Sequence, residues 1–215
     1  MKKGLVALAL VATGVAARAQ TVVDNFTISM SDYVLPTQPA YGSNSVGIPS
    51  LLFNTRTANA AAYAGNGTDL FTVHAPGDGT LSATGAGTAS GLLNLAYSNG
   101  GATDISAFQA VTLHVSGLTG PASGFVGIYS NSYNNYSFQG FSITNTGDLT
   151  FNFSGFSGAS VVKNNTDSLF FDISVGTGQS LTLSKVTLNP VPEPASLAVL
   201  GLGVTFLARR RKKSL

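Results

Sequence analysis

The sequence has no cysteine, no tryptophan and very little charge. Charged residues make up 9% of its 215 positions, against roughly 25% in an average globular protein. Without cysteine there are no disulfide bonds, no thiolate metal sites and no cysteine nucleophile. Glutamate occurs once, as Glu193 near the C-terminus, so the main body lacks the commonest acid of glycoside hydrolysis. What is abundant is glycine, with 25 residues, which favours many turns and short strands.

Basic residues are concentrated at the two ends of the chain. Between residues 20 and 190 there are three, Arg56, Lys163 and Lys185, against eight aspartates, which gives this region a net charge of −5. A basic surface for nucleic acids is therefore excluded for this region. Its length is sufficient for one domain with a substantial hydrophobic core.

The first 19 residues have the three parts of a secretory signal peptide. Two lysines form the charged start, residues 4–17 supply an apolar run, and Ala17 and Ala19 provide the small-x-small cleavage pattern. We predict cleavage after Ala19, so that the exported chain begins at Gln20. An uncleaved membrane anchor is the alternative, although the run is short for a membrane span.

The C-terminal end combines a proline motif, an apolar run and a basic tail. Val191-Pro192-Glu193-Pro194 precedes the apolar residues 195–208, and the tail contains Arg209, Arg210, Arg211, Lys212 and Lys213. A helix over this run would cover about 21 Å, less than the roughly 30 Å of a bilayer core. The basic tail should stay on the cytoplasmic side. The pattern predicts a marginal C-terminal transmembrane helix that holds an exported domain, since a core helix would not be followed by such a tail.

This ending resembles the PEP-CTERM sorting signal of Gram-negative bacteria over about the last 25 residues. The resemblance implies that an exosortase recognises Pro192, Glu193 and Pro194, and that the protein is processed at the inner membrane. It further implies delivery to the cell surface or matrix of bacteria that make extracellular polysaccharide. A Gram-positive sortase signal is the alternative, but the chain has no LPxTG motif, and a GPI-type signal would normally lack the basic end.

Residues 20–189 show the apolar–polar alternation of half-buried strands. Within residues 168–175, Leu169, Phe171, Ile173 and Val175 share one face, and Phe170 breaks the pattern. Residues 110–116 and 148–156 alternate in the same way, and further strands are expected to begin at Asn25, Asp69, Gly91, Gly124, Phe138 and Ser180. The last of these changes phase near Lys185, which suggests a bulge.

About nine to eleven such strands predict an all-β fold, a single β-sandwich or jelly-roll domain. Residues 33–64, which contain three prolines, are expected to form irregular loops over the sheets. The segments "VVDNF" (22–26), "DISAFQAVTLHVSG" (104–117) and the closing residues 167–188 make the domain similar to galactose-binding-like jelly rolls of carbohydrate-binding modules. That resemblance implies a sandwich that binds sugars.

Candidate chemical groups are few. His74 and His114 occupy polar positions of predicted strands and are expected to face solvent, and they could share a metal only if their strands were neighbours. Asp24, Asp104 and Asp172 are candidate ligands for a structural calcium ion. No hydrolase or nucleotide-binding motif occurs, so we predict a protein that is not an enzyme and needs no cofactor. A polysaccharide hydrolase is the less favoured alternative.

The segment "YSNSYNNYSF" (129–138) places tyrosines among amides and hydroxyls. Aromatic rings stack on the apolar faces of sugars, and amides bond to their hydroxyls. Tyr129, Tyr133, Asn134 and Tyr136 are therefore candidate sugar-binding residues, although the tyrosines of an ordinary hairpin could simply pack at its base.

Taken together, these patterns predict an exported surface or matrix protein associated with exopolysaccharide or biofilm. Its expected partners are the secretion machinery, an exosortase-type enzyme, the membrane before processing, and extracellular polysaccharide. A carbohydrate-binding module with a defined sugar site is the alternative.

Overall fold

Fourteen β-strands run through the residues that the computed structural model describes, which are 19–36, 40–64, 68–159 and 162–192. The strands are β1 (Thr21–Asp24), β2 (Met30–Leu35), β3 (Ala40–Gly47), β4 (Thr55–Ala64), β5 (Phe71–Ala75), β6 (Leu81–Gly85), β7 (Ser90–Thr103), β8 (Phe108–Thr119), β9 (Ala122–Ser130), β10 (Asn135–Ile143), β11 (Gly147–Asn152), β12 (Ser157–Gly158), β13 (Thr166–Val175) and β14 (Ser180–Pro190). Residues Gln20–Asn189 form one compact unit. The predicted signal peptide, apolar helix and basic tail lie outside the described residues, except for Ala19. Among the described residues no helix is long and apolar enough to cross a membrane.

The strands form two seven-stranded sheets. The first sheet has the order β11-β8-β14-β6-β5-β2, with β1 also paired to β14, and the second has the order β12-β10-β9-β13-β7-β4-β3. The pairings with a resolved register are antiparallel, and most join strands that are distant in the chain. This architecture confirms the predicted all-β sandwich of jelly-roll type.

The core lies between the sheets and follows the alternation of the sequence. On β13, Leu169, Phe171, Ile173 and Val175 are at most 2% exposed. Each such side chain contributes roughly 1.5–3 kcal/mol when it is fully buried. On β14 the buried residues change phase, because two partly exposed residues, 184 and 185, lie between Leu183 and Val186. The predicted phase change near Lys185 is therefore present.

The expectation of loops over residues 33–64 is wrong. This stretch contains the end of β2, all of β3 and all of β4. On β4 the residues that face the core are mostly alanines, which have low strand propensity, so the alternation is weak in the sequence. Pro36 and Pro49 lie just outside the strands, where proline is tolerated.

The strand expected from Asn25 is also absent, because β2 begins only at Met30. The side chain of Asp24 accepts a hydrogen bond from the Phe26 amide, and that of Asn25 accepts one from the Thr27 amide. Such local bonds favour turns over strands, and Phe26 has a positive φ of 54°. The strand expected over residues 148–156 likewise ends at Asn152 and continues as a short 3₁₀ turn, Phe153–Gly155.

A buried ion pair connects the first strand to the second sheet. The guanidinium of Arg56, which is fully buried, donates to the Asp24 carboxylate at 2.8 Å. It also contacts the Met30 sulfur at 3.1 Å and lies 5.3 Å from the centre of the Phe26 ring. The Tyr97 hydroxyl donates to the same carboxylate at 3.2 Å. Burial, reinforced by the charge of Asp24, raises the pKa of the Tyr97 phenol well above its ordinary value.

Candidate functional site

Among the residues that the structure describes, the exposed aromatic side chains lie on the second sheet or in a loop that joins two of its strands. Within the part of the chain that the structure describes there are five, with exposed fractions of 37–74%: Tyr41, Tyr63, Phe125, Tyr133 and Tyr136. Four lie on β3, β4, β9 and β10, and Tyr133 lies in the loop between β9 and β10. Exposed apolar groups that collect on one surface mark a binding site more often than scattered ones do. The outer face of the second sheet is therefore the candidate site.

The hairpin of β9 and β10 forms the centre of an aromatic cluster, which consists of Phe125, Tyr129, Tyr133, Tyr136, Phe138 and Phe170. Tyr129 and Tyr136 are directly opposite each other, with ring centres 5.0 Å apart. The Tyr136 ring is nearly parallel to those of Phe138 and Phe170, at 5.0 and 5.8 Å. Such contacts add to the hydrophobic burial of the rings and fix their orientation.

The loop between β9 and β10 holds the Tyr133 ring against the cluster, 5.5 Å from that of Tyr129. Three consecutive residues from Asn131 to Tyr133 have positive φ values of 57–62°, which are unfavourable for residues other than glycine. The buried Asp167 carboxylate stabilises the loop by accepting a hydrogen bond from the Tyr133 amide at 2.8 Å. The Asn134 side chain donates to the Asn131 carbonyl and so closes the loop.

Three of the four predicted sugar-site residues, Tyr129, Tyr133 and Tyr136, are thus brought together, and Asn134 serves the turn instead. The tyrosines do pack on one another, as the hairpin alternative expected, but Tyr133 and Tyr136 remain exposed. The pKa of the Tyr136 phenol is raised mainly by burial, and the nearby Tyr129 and the Asp172 carboxylate add to this effect. That hydroxyl therefore keeps its proton at neutral pH and remains a hydrogen-bond donor.

Gly127 makes room for the Phe170 ring in the cluster. The two residues are paired across β9 and β13, and a Cβ at Gly127 would lie 2.3 Å from Cζ of Phe170. Glycine at this position lets the ring lie across β9 towards Phe138. This contact accounts for Phe170, which breaks the alternation of β13.

A row of polar side chains crosses the middle of the face. Asn59 on β4, Asn94 on β7 and Asp172 on β13 are register partners on adjacent strands. Nδ2 of Asn59 donates to Oδ1 of Asn94 at 2.8 Å, and Nδ2 of Asn94 donates to Oδ1 of Asp172 at 2.5 Å. We call these three residues the amide row. Asn59 and Asp172 make one of these bonds each and Asn94 makes two, which leaves every one of them with further donor or acceptor capacity for a ligand.

Two depressions flank β7 on this face. One, of about 460 Å³, is lined by residues that include Phe125 and Asp172. The other, of about 430 Å³, is lined by residues that include Tyr41, Tyr63 and Asn94. Leu92 lines both, so the face presents aromatic rings at its two sides and polar groups between them.

A third and larger depression, of about 530 Å³, is a weaker candidate. It is lined by residues that include Asn152, Phe153 and Lys163. The Lys163 ammonium already donates to the Phe108 carbonyl at 2.9 Å, and the lining contains none of the five exposed aromatic side chains. Size alone does not make a site, whereas the outer face combines rings with polar groups.

The two histidines lie on the first sheet and are not neighbours. His74 is on β5 and His114 on β8, with β14 and β6 between these strands. His74 pairs with Asp32 at 2.6 Å, and His114 pairs with Asp148 at 2.5 Å. His74 is exposed as expected, but the His114 side chain is 13% exposed, so the expectation of a solvent-facing His114 is wrong. A shared metal site for the two is excluded by this strand order.

The three aspartates considered for calcium have separate partners. Asp24 is buried against Arg56, and Asp172 belongs to the amide row on the opposite side of the second sheet. The Asp104 carboxylate accepts a hydrogen bond from the Ser106 amide, which lowers the pKa of Asp104. The described residues contain no group of three histidine or acidic side chains that could hold a metal ion.

Several residues of the face were not among the predicted sugar-binding residues: Tyr41, Asn59, Tyr63, Asn94, Phe125, Phe138, Phe170 and Asp172, the last of which was considered only as a calcium ligand. One usable signal was present, because Phe170 occupies a polar position of its strand. An aromatic residue at such a position is either exposed or packed on the outer face of the sheet. Phe125 and Phe138 lie on the β9–β10 hairpin, close in sequence to the predicted tyrosines. The remaining residues come from strands whose order in the sheet the sequence does not indicate.

Two antiparallel sheets packed face to face define the molecule as a β-sandwich of the jelly-roll class. It is similar to a family 11 carbohydrate-binding module of a cellulosomal cellulase of Clostridium thermocellum, with 15% identity, 81% of this chain and 96% of that chain covered, and a TM-score of 0.45. A family 11 module of the same organism, in complex with a β-1,3-1,4-mixed-linked tetrasaccharide, gives 15% identity, coverages of 81% and 98%, and a TM-score of 0.45. A low-affinity xylan-binding module of Roseburia intestinalis gives 14% identity, coverages of 61% and 96%, and a TM-score of 0.36. Similarity at this level concerns the general fold and carries no information on the ligand.

Residues 190–212 match the PEP-CTERM protein-sorting motif, which confirms the resemblance noted in the sequence and implies that the protein is exported. The match leaves the sandwich itself unassigned, and a search of curated proteins finds no match to the chain. Of the three motif residues Pro192, Glu193 and Pro194, the structure describes only Pro192, which is exposed shortly after the end of β14.

Proposed function

We propose that this protein is a non-enzymatic component of the cell surface or extracellular matrix that binds polysaccharide through the outer face of its second sheet. The observation that carries the proposal is the arrangement of this face. Every exposed aromatic ring of the described residues lies on it or at its rim, and the amide row runs between the rings.

The chemistry of the face suits sugars. The apolar face of a sugar ring stacks on aromatic rings such as that of Tyr136, while its hydroxyls both donate and accept hydrogen bonds. The amide row offers donors and acceptors at a height that a ligand lying on the sheet would reach.

Hydrolysis of the bound polysaccharide is not favoured by this geometry. Glycosidases use a pair of carboxyl groups, one on each side of the scissile bond. Among the described residues that line the two depressions of the face, Asp172 is the one carboxylate; it lines the 460 Å³ depression, and the 430 Å³ depression has none. One carboxylate, already bonded to Asn94, supports binding rather than catalysis.

The sorting motif supports the proposed location at the cell surface or in the extracellular matrix. The signal peptide is removed after Ala19, and residues 195–208 with the basic residues 209–213 hold the protein at the inner membrane. An exosortase then acts near Pro192 and releases the domain to the surface or matrix. Both steps are expectations from the sequence and from the motif match.

Sugar binding is tested on the full-length protein, purified in a mild detergent and applied to a glycan array, with affinities then measured by titration. We expect saturable binding to at least one polysaccharide, weakened about tenfold or more by Tyr136→Ala, because a loss of about 1.4 kcal/mol is tenfold in affinity. Val34→Ala is the matched control, since Val34 is 56% exposed on the first sheet. Absence of binding, or equal losses in both variants, would refute the proposed site.

Sorting is tested by intact mass and cell fractionation of the protein from its own cells. We expect a form that begins at Gln20, ends near Pro192 and is found in the matrix or the medium. A full-length tail retained in the inner membrane would contradict release and make the protein a membrane-held periplasmic one.

A further inference from the structure

The distribution of charge indicates which polysaccharides the outer face of the second sheet accepts, an inference that rests on the proposed function. The region from residue 20 to residue 190 contains three basic residues, and none lies on this face. Arg56 is fully buried in the core. Lys163 is bonded to the Phe108 carbonyl away from the face, and Lys185 is on β14 of the first sheet.

The charge present on the face is negative. Asp172 is partly exposed and lines the 460 Å³ depression beside Phe125. Its Oδ1 accepts a hydrogen bond from Asn94, and its field contributes to the raised pKa of Tyr136, after burial and Tyr129. Its second oxygen is an acceptor for a ligand hydroxyl. A carboxylate or sulfate of a ligand at this place would meet a like charge, and no basic side chain of the described residues lies on this face to offset it.

The two aromatic sides of the face are separated by several strands. From β9, which carries Phe125, to β3, which carries Tyr41, there are four strand spacings, or about 19 Å at about 4.8 Å each. A ligand that contacts both sides must therefore be a chain of several sugar rings that crosses the strands and passes over the amide row.

We propose that the face selects uncharged glycan chains, recognised along their length, and rejects chains that carry uronic acids or sulfates. Asp172 is the residue that determines this selection. Hydroxyl groups of a neutral chain satisfy its free oxygen, while the rings on both sides hold the chain across the sheet.

The test compares three forms of one polymer, chosen as the neutral glycan that binds the full-length protein best: unmodified, hydroxyethylated and carboxymethylated to equal extents. The hydroxyethyl form controls for the bulk of the substituent. We expect the carboxymethyl form to bind at least about tenfold more weakly than the hydroxyethyl form at low salt, and the difference to shrink as salt screens the charges.

The Asp172→Asn variant keeps an oxygen that accepts from Asn94 and removes the charge, so it should reduce that difference to about threefold or less. Asp148→Asn, which removes an exposed carboxylate from the first sheet, should leave the difference unchanged. Equal binding of the carboxymethyl and hydroxyethyl forms by the unaltered protein would overturn the selection while leaving the proposed function intact. Failure of every polymer to bind would overturn the proposed function itself.

Discussion

The buried pair of Arg56 and Asp24 makes a strong prediction about stability. In the Asp24→Asn variant the new side chain has nearly the same shape and can still accept the hydrogen bond from the Phe26 amide. The negative charge is lost, however, and the partners that the fully buried Arg56 guanidinium keeps are all neutral: the Met30 sulfur, the Ile28 carbonyl and the Phe26 ring. The change therefore isolates the effect of an unpaired buried charge.

The expected effect is large compared with the total stability of a domain. Removal of one partner from a buried ion pair costs about 3–5 kcal/mol, because the remaining charge has been taken out of water. The net stability of a whole domain is typically about 5–15 kcal/mol. For a domain of this size about 1 kcal/mol lowers Tm by about 2–4 °C, so Asp24→Asn should lower Tm by about 6–20 °C.

Urea and thermal unfolding followed by circular dichroism measure this effect. Asp148→Asn is the control, because its carboxylate is 64% exposed and such pairs contribute no more than about 1 kcal/mol. The double variant Asp24→Asn/Arg56→Met removes the unpaired charge and should recover much of the lost stability, since apolar replacements of buried pairs are often neutral. The reasoning is wrong if Asp24→Asn costs no more than Asp148→Asn, or if the double variant is less stable than Asp24→Asn alone.

Two further predictions concern Gly127 and Tyr97. Gly127→Ala should destabilise the protein by about 1–3 kcal/mol through overpacking. It should also weaken sugar binding, because the added methyl group displaces the Phe170 ring. An unchanged near-ultraviolet circular dichroism spectrum and an unchanged affinity for sugar would contradict this prediction. Because the pKa of the folded Tyr97 phenol is raised above its ordinary value of 10.0, its contribution to stability is complete below that value and is lost as the pH rises towards the folded pKa. Above pH 10.0 the free energy of unfolding should therefore fall less steeply with pH in Tyr97→Phe than in the unaltered protein. An identical slope in both proteins would show that ionisation of Tyr97 does not contribute to this pH dependence.

The fold class was predictable because strand alternation is a local property. Strands such as β8 and β13 turn large apolar residues inwards, so their pattern is visible in a single segment of sequence. On β4 the inward positions 58, 60 and 62 are alanines. A strand whose inward residues are this small shows almost no apolar–polar alternation in its sequence. The prediction failed there for that physical reason.

The same distinction explains which part of the candidate site was predictable. Tyr129 and Tyr136 are seven positions apart in one hairpin, so their proximity follows from local sequence. Asn59, Asn94 and Asp172 come from strands that are far apart in the chain and adjacent only in the sheet. The pairing of Arg56 with Asp24 could not be predicted for the same reason, because a lone arginine in a strand gives no indication of a carboxylate 32 residues away.

The stacking within the aromatic cluster bears on how the face would bind a sugar. A side chain that must be ordered by its ligand costs roughly 0.5–1.5 kcal/mol of binding free energy. The Tyr136 ring is already stacked against Phe138 and Phe170, and the amide row is already joined by its own hydrogen bonds. Tyr41 differs, since it is 74% exposed on the outermost strand β3. The cluster should therefore supply most of the affinity at little cost in ordering, whereas Tyr41 should contribute mainly to the length of chain that is recognised.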